Sequence, residues 1–571
     1  MKESSAIDYV LAIHAGHNAS ALVGTPDKII YAVQEERLTG EKNYWGFPEK
    51  SIQACLARVG REAREIKHIV FGAHQLVTRY HSREDVIQSY ARQDSLGGAV
   101  RQRFIVPFVL KLNKRFGQKE VLGQLKAMGF NTSAVKFYDH HGSHAASAYY
   151  GLRKNTMDKY LVLTCDGSGD DLCASVRVMG PDGEKVVATT QWNNSLGALY
   201  SWTTFRMGFV PLEHEYKLMG MAPYATQAYS EEIKSIYSSY LGLDRTGLSF
   251  ERKGFTRISD ASKDLFNKLN GKRFDAICGG LQIFTEDLLT RWAANAIRKT
   301  GIKKVLVAGG VFMNVKANKL ISELPQVEYF EAFPSCGDET LIFGAYYQYI
   351  AEKISRECVP VLEDFYSGDD LEPDEVTAAI KKFNHSYRAM EHPGEEVADL
   401  LLKGHPVARC KGPMEFGARA LGNRSILADP GNLDVVRVIN QMVKKRDFWM
   451  PFAPMMKKES SDTYIKNEKG LDSPYMMMTF DTRENFRDLI AAVHNADLTC
   501  RAQLLTKEQN RGMYEIIDQF EKKSGKGVVL NTSFNLHGYP IARTGEEAMH
   551  IFHNSGLEYM ELGPYLISKN T

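Results

Sequence analysis

The sequence predicts an α/β protein in which a duplicated first domain is followed by a second, smaller α/β domain. Three observations predict this. A unit of strand, polar glycine-containing loop, strand, tight turn and strand occurs twice in the first third of the chain; a further buried strand ends on the pair Gly309-Gly310; and residues 358–375 collect turn formers and acids between the two parts. At 571 residues the chain is also too long for one core.

The first copy reads as strands at residues 9–13, 19–23 and 28–33, with a loop at Gly16-His17-Asn18 and a turn at Pro26-Asp27. The second reads as strands at 160–164, 174–178 and 185–188, with Asp166-Gly167-Ser168-Gly169-Asp170 as its loop and Pro181-Asp182-Gly183 as its turn. Such a pair suits a two-lobed ATP-binding fold, because each small first turn presents backbone N–H groups to a phosphate chain. The strand at 303–308 and the following Gly309-Gly310 add a place where backbone approaches a nucleotide closely. The arrangement resembles the actin, sugar-kinase and Hsp70 ATPase (ASKHA) superfamily. Between the copies, residues 79–126 hold ten Lys/Arg against four Asp/Glu, with helical spacing around 104–112. That stretch reads as a solvated helical insertion or as a surface for an anionic acceptor. A helix at 374–383 opens the second domain, so the domains are 1–357 and 376–571 with a linker at 358–375.

Composition excludes several classes. There are 71 basic and 69 acidic side chains, for a net charge of +2, and 44% of residues are hydrophobic, which argues against disorder and against a uniformly basic nucleic-acid coat. No apolar run reaches the length of a membrane span, and the first residues lack a signal peptide's layout, so a cytoplasmic protein without membrane contact is expected. The eight cysteines form no CxxC pair and read as reduced, mostly buried thiols.

His140 and His144 stand four apart at the start of an alanine-rich helix, a spacing that stacks both rings on one face within reach of one divalent ion. With sixteen histidines in the chain, one such spacing arises by chance. Asp166 heads the second polar loop, and Asp338 ends the turn at 334–338 before another helix. Two imidazoles and carboxylates with open positions suit iron or another first-row metal bridging a nucleotide phosphate, while a structural histidine pair explains the spacing equally well.

The ordered set of motifs goes further. His17-Asn18-Ala19-Ser20-Ala21, Gln34-Glu35-Glu36-Arg37, the histidine pair, the loop at 166–170, residues 215–224 (EYKLMGMAPY) and Ala308-Gly309-Gly310-Val311 with Asn314 lie in the first domain. Residues 414–430 (MEFGARALGNRSILADP), Val443-Lys444-Lys445-Arg446, Pro451-Phe452-Ala453-Pro454 and residues 530–535 (LNTSFN) lie in the second. Together they resemble the antibiotic and Nod-factor O-carbamoyltransferases of the NodU/CmcH type, over nearly the whole chain.

The resemblance implies a threonylcarbamoyl-transferase-like ASKHA domain followed by a YrdC-like carbamoyltransferase C-terminal domain. It implies that the second domain turns carbamoyl phosphate and ATP, supplied with Mg(2+), into carbamoyl-adenylate, and that the first moves the carbamoyl group to a hydroxyl. Carried over to this sequence, His140, His144, Asp166 and Asp338 would hold Fe(2+) or another divalent first-row metal, and His17 would be the general base, an imidazole being able to titrate near working pH. Lys42, Gly167, Lys217, Gly309, Gly310 and Asn314 would touch ATP or the adenylate, with Lys217 also readable as a surface lysine. Arg419, Lys444, Arg446, Arg501, Asn531, Ser533 and Asn535 would bind carbamoyl phosphate, whose dianion needs fixed cations and N–H donors. Met450 and Pro413 stand where the family has arginines, Ala418 where it has proline and Tyr539 where it has glutamate, so either Lys445 or another cation substitutes or the donor site is altered. The acceptor would be a hydroxyl of a small molecule, a glycan or a modified nucleobase; the basic insertion leans toward an anionic one. Three other readings use the same residues: a small-molecule kinase of the ASKHA class, which needs neither the histidine pair nor the second domain; threonylcarbamoyl-type transfer to an amine of tRNA; and a binding module in which ATP drives lobe closure without group transfer.

Overall fold

The computed structural model describes residues 8–93, 106–254, 258–444 and 446–569. Its contacts divide the chain into two units, one holding residues up to Glu35 with Asn43–Glu363, the other Glu36–Lys42 with Asp364 onward.

The first unit holds two five-stranded sheets. In one, β1 (Val10–His14) pairs antiparallel with β2 (Ser20–Gly24), which pairs antiparallel with β3 (Ile29–Gln34); on its other side β1 runs parallel to β4 (His68–Phe71), and β4 to β5 (Lys136–Phe137). After α1 (His140–Leu152), β6 (Tyr160–Gly169), β7 (Leu172–Gly180) and β8 (Gly183–Gln191) repeat the antiparallel meander. The helix α2 (Leu196–Arg206) follows, and then β9 (Lys304–Ala308) and β10 (Tyr329–Ala332) add two parallel strands beside β6. Strand order and pairing sense are identical in the two sheets, so the repeat read from the sequence extends to whole sheets. Every residue of β1 and β2 is buried, and β9 is buried beyond its first residue, as expected of strands covered on both faces.

The two halves exchange helices. The helix α1, which follows the first sheet, packs on β6, β7 and β9 of the second; α3 (Leu341–Lys353), which follows the second, packs on β1, β2 and β4 of the first. The two helices also pack on each other, and this close approach rests on Gly344, where a Cβ would collide with the Ser143 carbonyl oxygen. Gly344→Ala is therefore expected to lower the urea midpoint of the full chain, with a loss of stability of at least the ~1–3 kcal/mol typical of overpacking, because backbone must move. An unchanged midpoint would show that the helices separate without cost.

The second unit is built on an eight-stranded mixed sheet of β11 (Ser386–Ala389), β12 (Val407–Cys410), β13 (Arg424–Ala428), β14 (Ala453–Lys457), β15 (Gln503–Leu505), β16 (Val528–Ser533), β17 (Tyr559–Leu562) and β18 (Tyr565–Ser568), in the order β11-β18-β17-β12-β13-β16-β14-β15. Alternation along the central strands gives each face its own core. Ala408, Ile426 and Leu530 pack with the helices Pro373–Phe383 and Gly545–His553; Val407, Leu427 and Val529 pack with Pro393–Leu402 and Arg511–Ser524.

Two expectations need correcting. The polar loop at 166–170 is extended through Gly169, with a register shift between Cys165 and Gly169, and the turn falls at Asp170 and Asp171, both left-handed. The segment 358–375 is no loose tether: Leu362 N donates to Gly151 O and the Arg153 guanidinium to Val359 O, while Gly368 N donates to Met414 O and Phe365 is buried. In the basic insertion, residues 94–105 lie outside the described residues; its helix Val106–Ala127 buries Val121 and Leu125 on one face and leaves Arg115, Lys119 and Lys126 exposed, as a solvated helix does. Seven cysteines are buried and Cys358 is exposed, all with free thiols. Among the described residues no helix is long and apolar enough to cross a membrane.

Candidate metal centre and anion site

Asp139 caps α1, its carboxylate accepting from Gly142 N at 2.6 Å, so that the helix begins at His140. One turn later His144 lies on the same face. Asp166 enters from β6 and Asp338 from the turn between β10 and α3. The four ligand atoms lie within 4.8 Å of one another. His144 Nε2 stands 3.1 Å from Asp166 Oδ2 and His140 Nε2 3.6 Å from it; both imidazoles are 3.7 Å from Asp338 Oδ1. His140 Nε2 is buried with no hydrogen-bond partner, which a structural pair would leave as a cost and a metal would satisfy. Two imidazole nitrogens and two carboxylate oxygens are a donor set that fits a divalent first-row cation.

The electrostatics agree. Burial and the neighbouring Asp166 charge push the Asp338 carboxyl well above the usual carboxylate range. Burial acts on Asp166 in the same direction but is outweighed by the His140 and His144 imidazoles beside it, which hold it well below. Two buried carboxyls so close retain one proton between them unless a cation takes its place.

The sequence reading did not find the support beneath these ligands. His141 Nδ1 is 2.9 Å from Thr164 Oγ1, which is 2.6 Å from Ser175 Oγ; Arg177 donates to Ser175 at 2.9 Å and to Asp139 at 3.1 Å. The chain of contacts closes on the residue that caps α1, and its only local signal is the capping aspartate before a helical run. Ser195 was missed likewise: it caps α2, whose Gly197 abuts the Asp166-Gly167 turn so closely that a Cβ would lie 2.9 Å from Gly167 N.

The remaining first-unit residues divide into two groups. His17 is brought near the cluster: Ser20 Oγ donates to Glu339 O at 2.9 Å, and the intervening His14, which bonds to His17 O at 3.0 Å, has its pKa lowered to about 3 by burial and then by the charge of His140. The His17 ring meets Trp45 edge-on at 5.3 Å. Gly309 and Gly310 also belong there, since a Cβ at Gly309 would strike Cys165 O and one at Gly310 would lie 3.1 Å from Asp166 Oδ1. Gly167 gives its N–H to Asp166 Oδ1 at 2.6 Å. Asn314 is committed to structure, capping its helix through Ala317 N and exchanging two amide hydrogen bonds with Gln282 at 2.9 and 3.0 Å. Lys217 stands over the Phe209 ring at 5.3 Å. Lys42 is exposed on the segment Glu36–Lys42, which groups with the second unit rather than the first because Arg37 donates to Gly417 O at 2.6 Å and to Ile541 O at 3.4 Å.

In the second unit three predicted arginines converge. The Arg501 guanidinium is held well below its ordinary value by burial and then by the positive charges of Arg419 and Arg446. The Arg501 Nε is buried without a hydrogen-bond partner. Glu415 shapes the loop carrying Arg419 by accepting from Leu421 N at 2.6 Å and Arg424 N at 3.2 Å. Cations crowded together in this way suit a multiply charged anion. Ser533 and Asn535 bond to each other at 2.7 Å, whereas the Asn531 amide donates to Ala420 O at 2.9 Å and to Gln503 at 3.2 Å. Asn531 thus ties the arginine loop to β16. The Lys444 side chain and Lys445 lie outside the described residues.

Comparison with known proteins gives consistent matches. The family model described as Carbamoyltransferase N-terminus matches residues 10–346, and Carbamoyltransferase C-terminus matches 398–569. Uncharacterized protein sll1178 of Synechocystis sp. is 29% identical over 98% of this chain and 97% of its own length. Nodulation protein NolNO of Sinorhizobium fredii is 28% identical over 97% and 79%. Among solved structures, full-length HypF in its phosphate- and nucleotide-bound form covers 61% of this chain and 56% of its own at 13% identity and a TM-score of 0.35.

Proposed function

Because the chain belongs to the carbamoyltransferase family, we propose that it carbamoylates a hydroxyl in two steps, making carbamoyl-adenylate in the second unit and consuming it in the first. The reading is carried by the group of Arg419, Arg446 and Arg501, whose clustered positive charge suits a compact anion of more than one charge. Carbamoyl phosphate is such an anion. It loses phosphate to water, and the resulting carbamate oxygen attacks the α-phosphorus of ATP, releasing pyrophosphate. Guanidinium forks suit the phosphate oxygens and gather charge that would otherwise oppose the attack.

In the first unit the acceptor oxygen adds to the carbamoyl carbon and AMP leaves. His17 takes the acceptor's proton, and His14 holds the His17 backbone from behind. His140, His144, Asp166 and Asp338 would hold a divalent first-row metal, with Fe(2+) one candidate. When bound, such an ion supplies positive charge for the developing charge on the leaving group. Cys165, Gly309 and Gly310 bring bare backbone to this place, which suits a nucleotide phosphate.

The decisive assay follows nucleotides. ATP turnover is expected to give AMP and pyrophosphate, and only when carbamoyl phosphate is present. ADP as the sole nucleotide product would place the protein among kinases and end this reading.

A further inference from the structure

We propose that Asp170 is the positioning residue of the metal centre, a carboxylate that ties two ligand-bearing segments to a loop of the first sheet. This rests on the metal reading of the His140, His144, Asp166 and Asp338 cluster. Asp170 touches no ligand atom, and nothing in the proposed reaction uses it.

Its contacts are unusual in kind. Asp170 Oδ1 accepts from Gln75 N at 2.7 Å and His74 N at 3.1 Å; Oδ2 accepts from His74 N at 2.9 Å and His140 N at 2.9 Å. One carboxylate therefore satisfies backbone donors from the segment after β4 and from the first residue of α1, while it is itself four residues beyond Asp166. The backbone is held left-handed at φ +48° to aim it, a conformation a non-glycine residue adopts at some cost. Gly169 completes the fit, because a Cβ there would collide with the His140 ring. The first ligand of α1 is thus fixed from both sides, its amide by Asp170 and its ring by the close approach of Gly169. Partners that orient ligands without touching a metal contribute about 10–100-fold in metal affinity.

The test uses Co2+ as probe, titrated into the metal-free full chain and followed by its d–d absorption. Asp170→Asn is expected to weaken Co2+ binding about 10–100-fold and to alter the band shape, with the far-UV circular dichroism and unfolding midpoint of the metal-free protein near wild type. Asp171→Asn, which removes the neighbouring negative charge at a side chain whose contact to Gln75 Nε2 is exposed, is expected to bind Co2+ as wild type does. If Asp170→Asn fails to fold, wild-type amide exchange decides the matter. By reciprocity, Co2+ must slow exchange at His74 and Gln75, whose amides touch Asp170 and no ligand. Unchanged affinity in a folded Asp170→Asn, or exchange at those two amides indifferent to Co2+, would overturn the proposal. A wild-type protein that takes up no Co2+ would instead remove the metal reading and this proposal with it.

Discussion

His144→Ala is expected to abolish hydroxyl carbamoylation while leaving carbamoyl-phosphate-dependent exchange of pyrophosphate into ATP close to wild type. The side chain is buried, its Nε2 is 3.1 Å from Asp166 Oδ2, and it is one of four groups that converge. Outer partners of metal ligands already cost about 10–100-fold in affinity when lost, so deleting a ligand costs more than that. It also deprives Asp166 of its 3.1 Å hydrogen bond to His144, one of the contacts that hold its carboxyl down, which leaves two closely placed carboxyls competing for a single proton. In the proposed reading the exchange reaction uses the other unit, which has its own hydrophobic core. Two measurements on one variant, metal content with transfer rate and pyrophosphate exchange, therefore separate the half-reactions. Full-rate transfer by a metal-depleted His144→Ala protein, or loss of exchange in a folded one, would refute the division of labour.

Arg501→Met tests the other unit through opposing signs. Arg501 is partly buried beside Arg419 and Arg446, so in the unliganded protein its charge is disfavoured. Methionine keeps much of the length, removes the repulsion and buries well, and the unliganded unfolding midpoint should stay level or rise. With an anion bound the sign reverses. A charge-assisted hydrogen bond is worth about 1.5–3 kcal/mol, so the half-saturating concentration of carbamoyl phosphate should rise about 10–100-fold. Inorganic phosphate gives the same comparison by mass action: at 100 times its dissociation constant it stabilises wild type by about 2.7 kcal/mol, and most of this should vanish in the variant. A destabilised Arg501→Met protein that phosphate still protects fully would make Arg501 a structural cation and leave the donor site without its carrying observation.

The strands were legible because their signals are local. Residues 9–13 and 160–164 are apolar runs bounded by small polar turns, and a run long enough to cross a sheet buried on both faces needs no distant information to be recognised. His140 and His144 were likewise set on one helical face by spacing alone. Whether they face carboxylates was not a local matter. Asp338 lies 172 residues beyond Asp166, counted as 338 − 166, and only the parallel pairing of β9 with β6 and β10 brings the turn after β10 beside β6.

What the sequence determined by itself is the repeat, the helix that presents both imidazoles, and the ordered motifs that mark the family. Tertiary structure decided the rest: that α1 and α3 exchange sheets, that Arg37 bonds within the second unit, and that Asp170 gathers amides from residues 74, 75 and 140. The physical reason is range. Propensity and periodicity act over a few residues, whereas a buried polar group is satisfied by whatever the packed chain brings within about 3 Å, and sequence separation does not enter that condition.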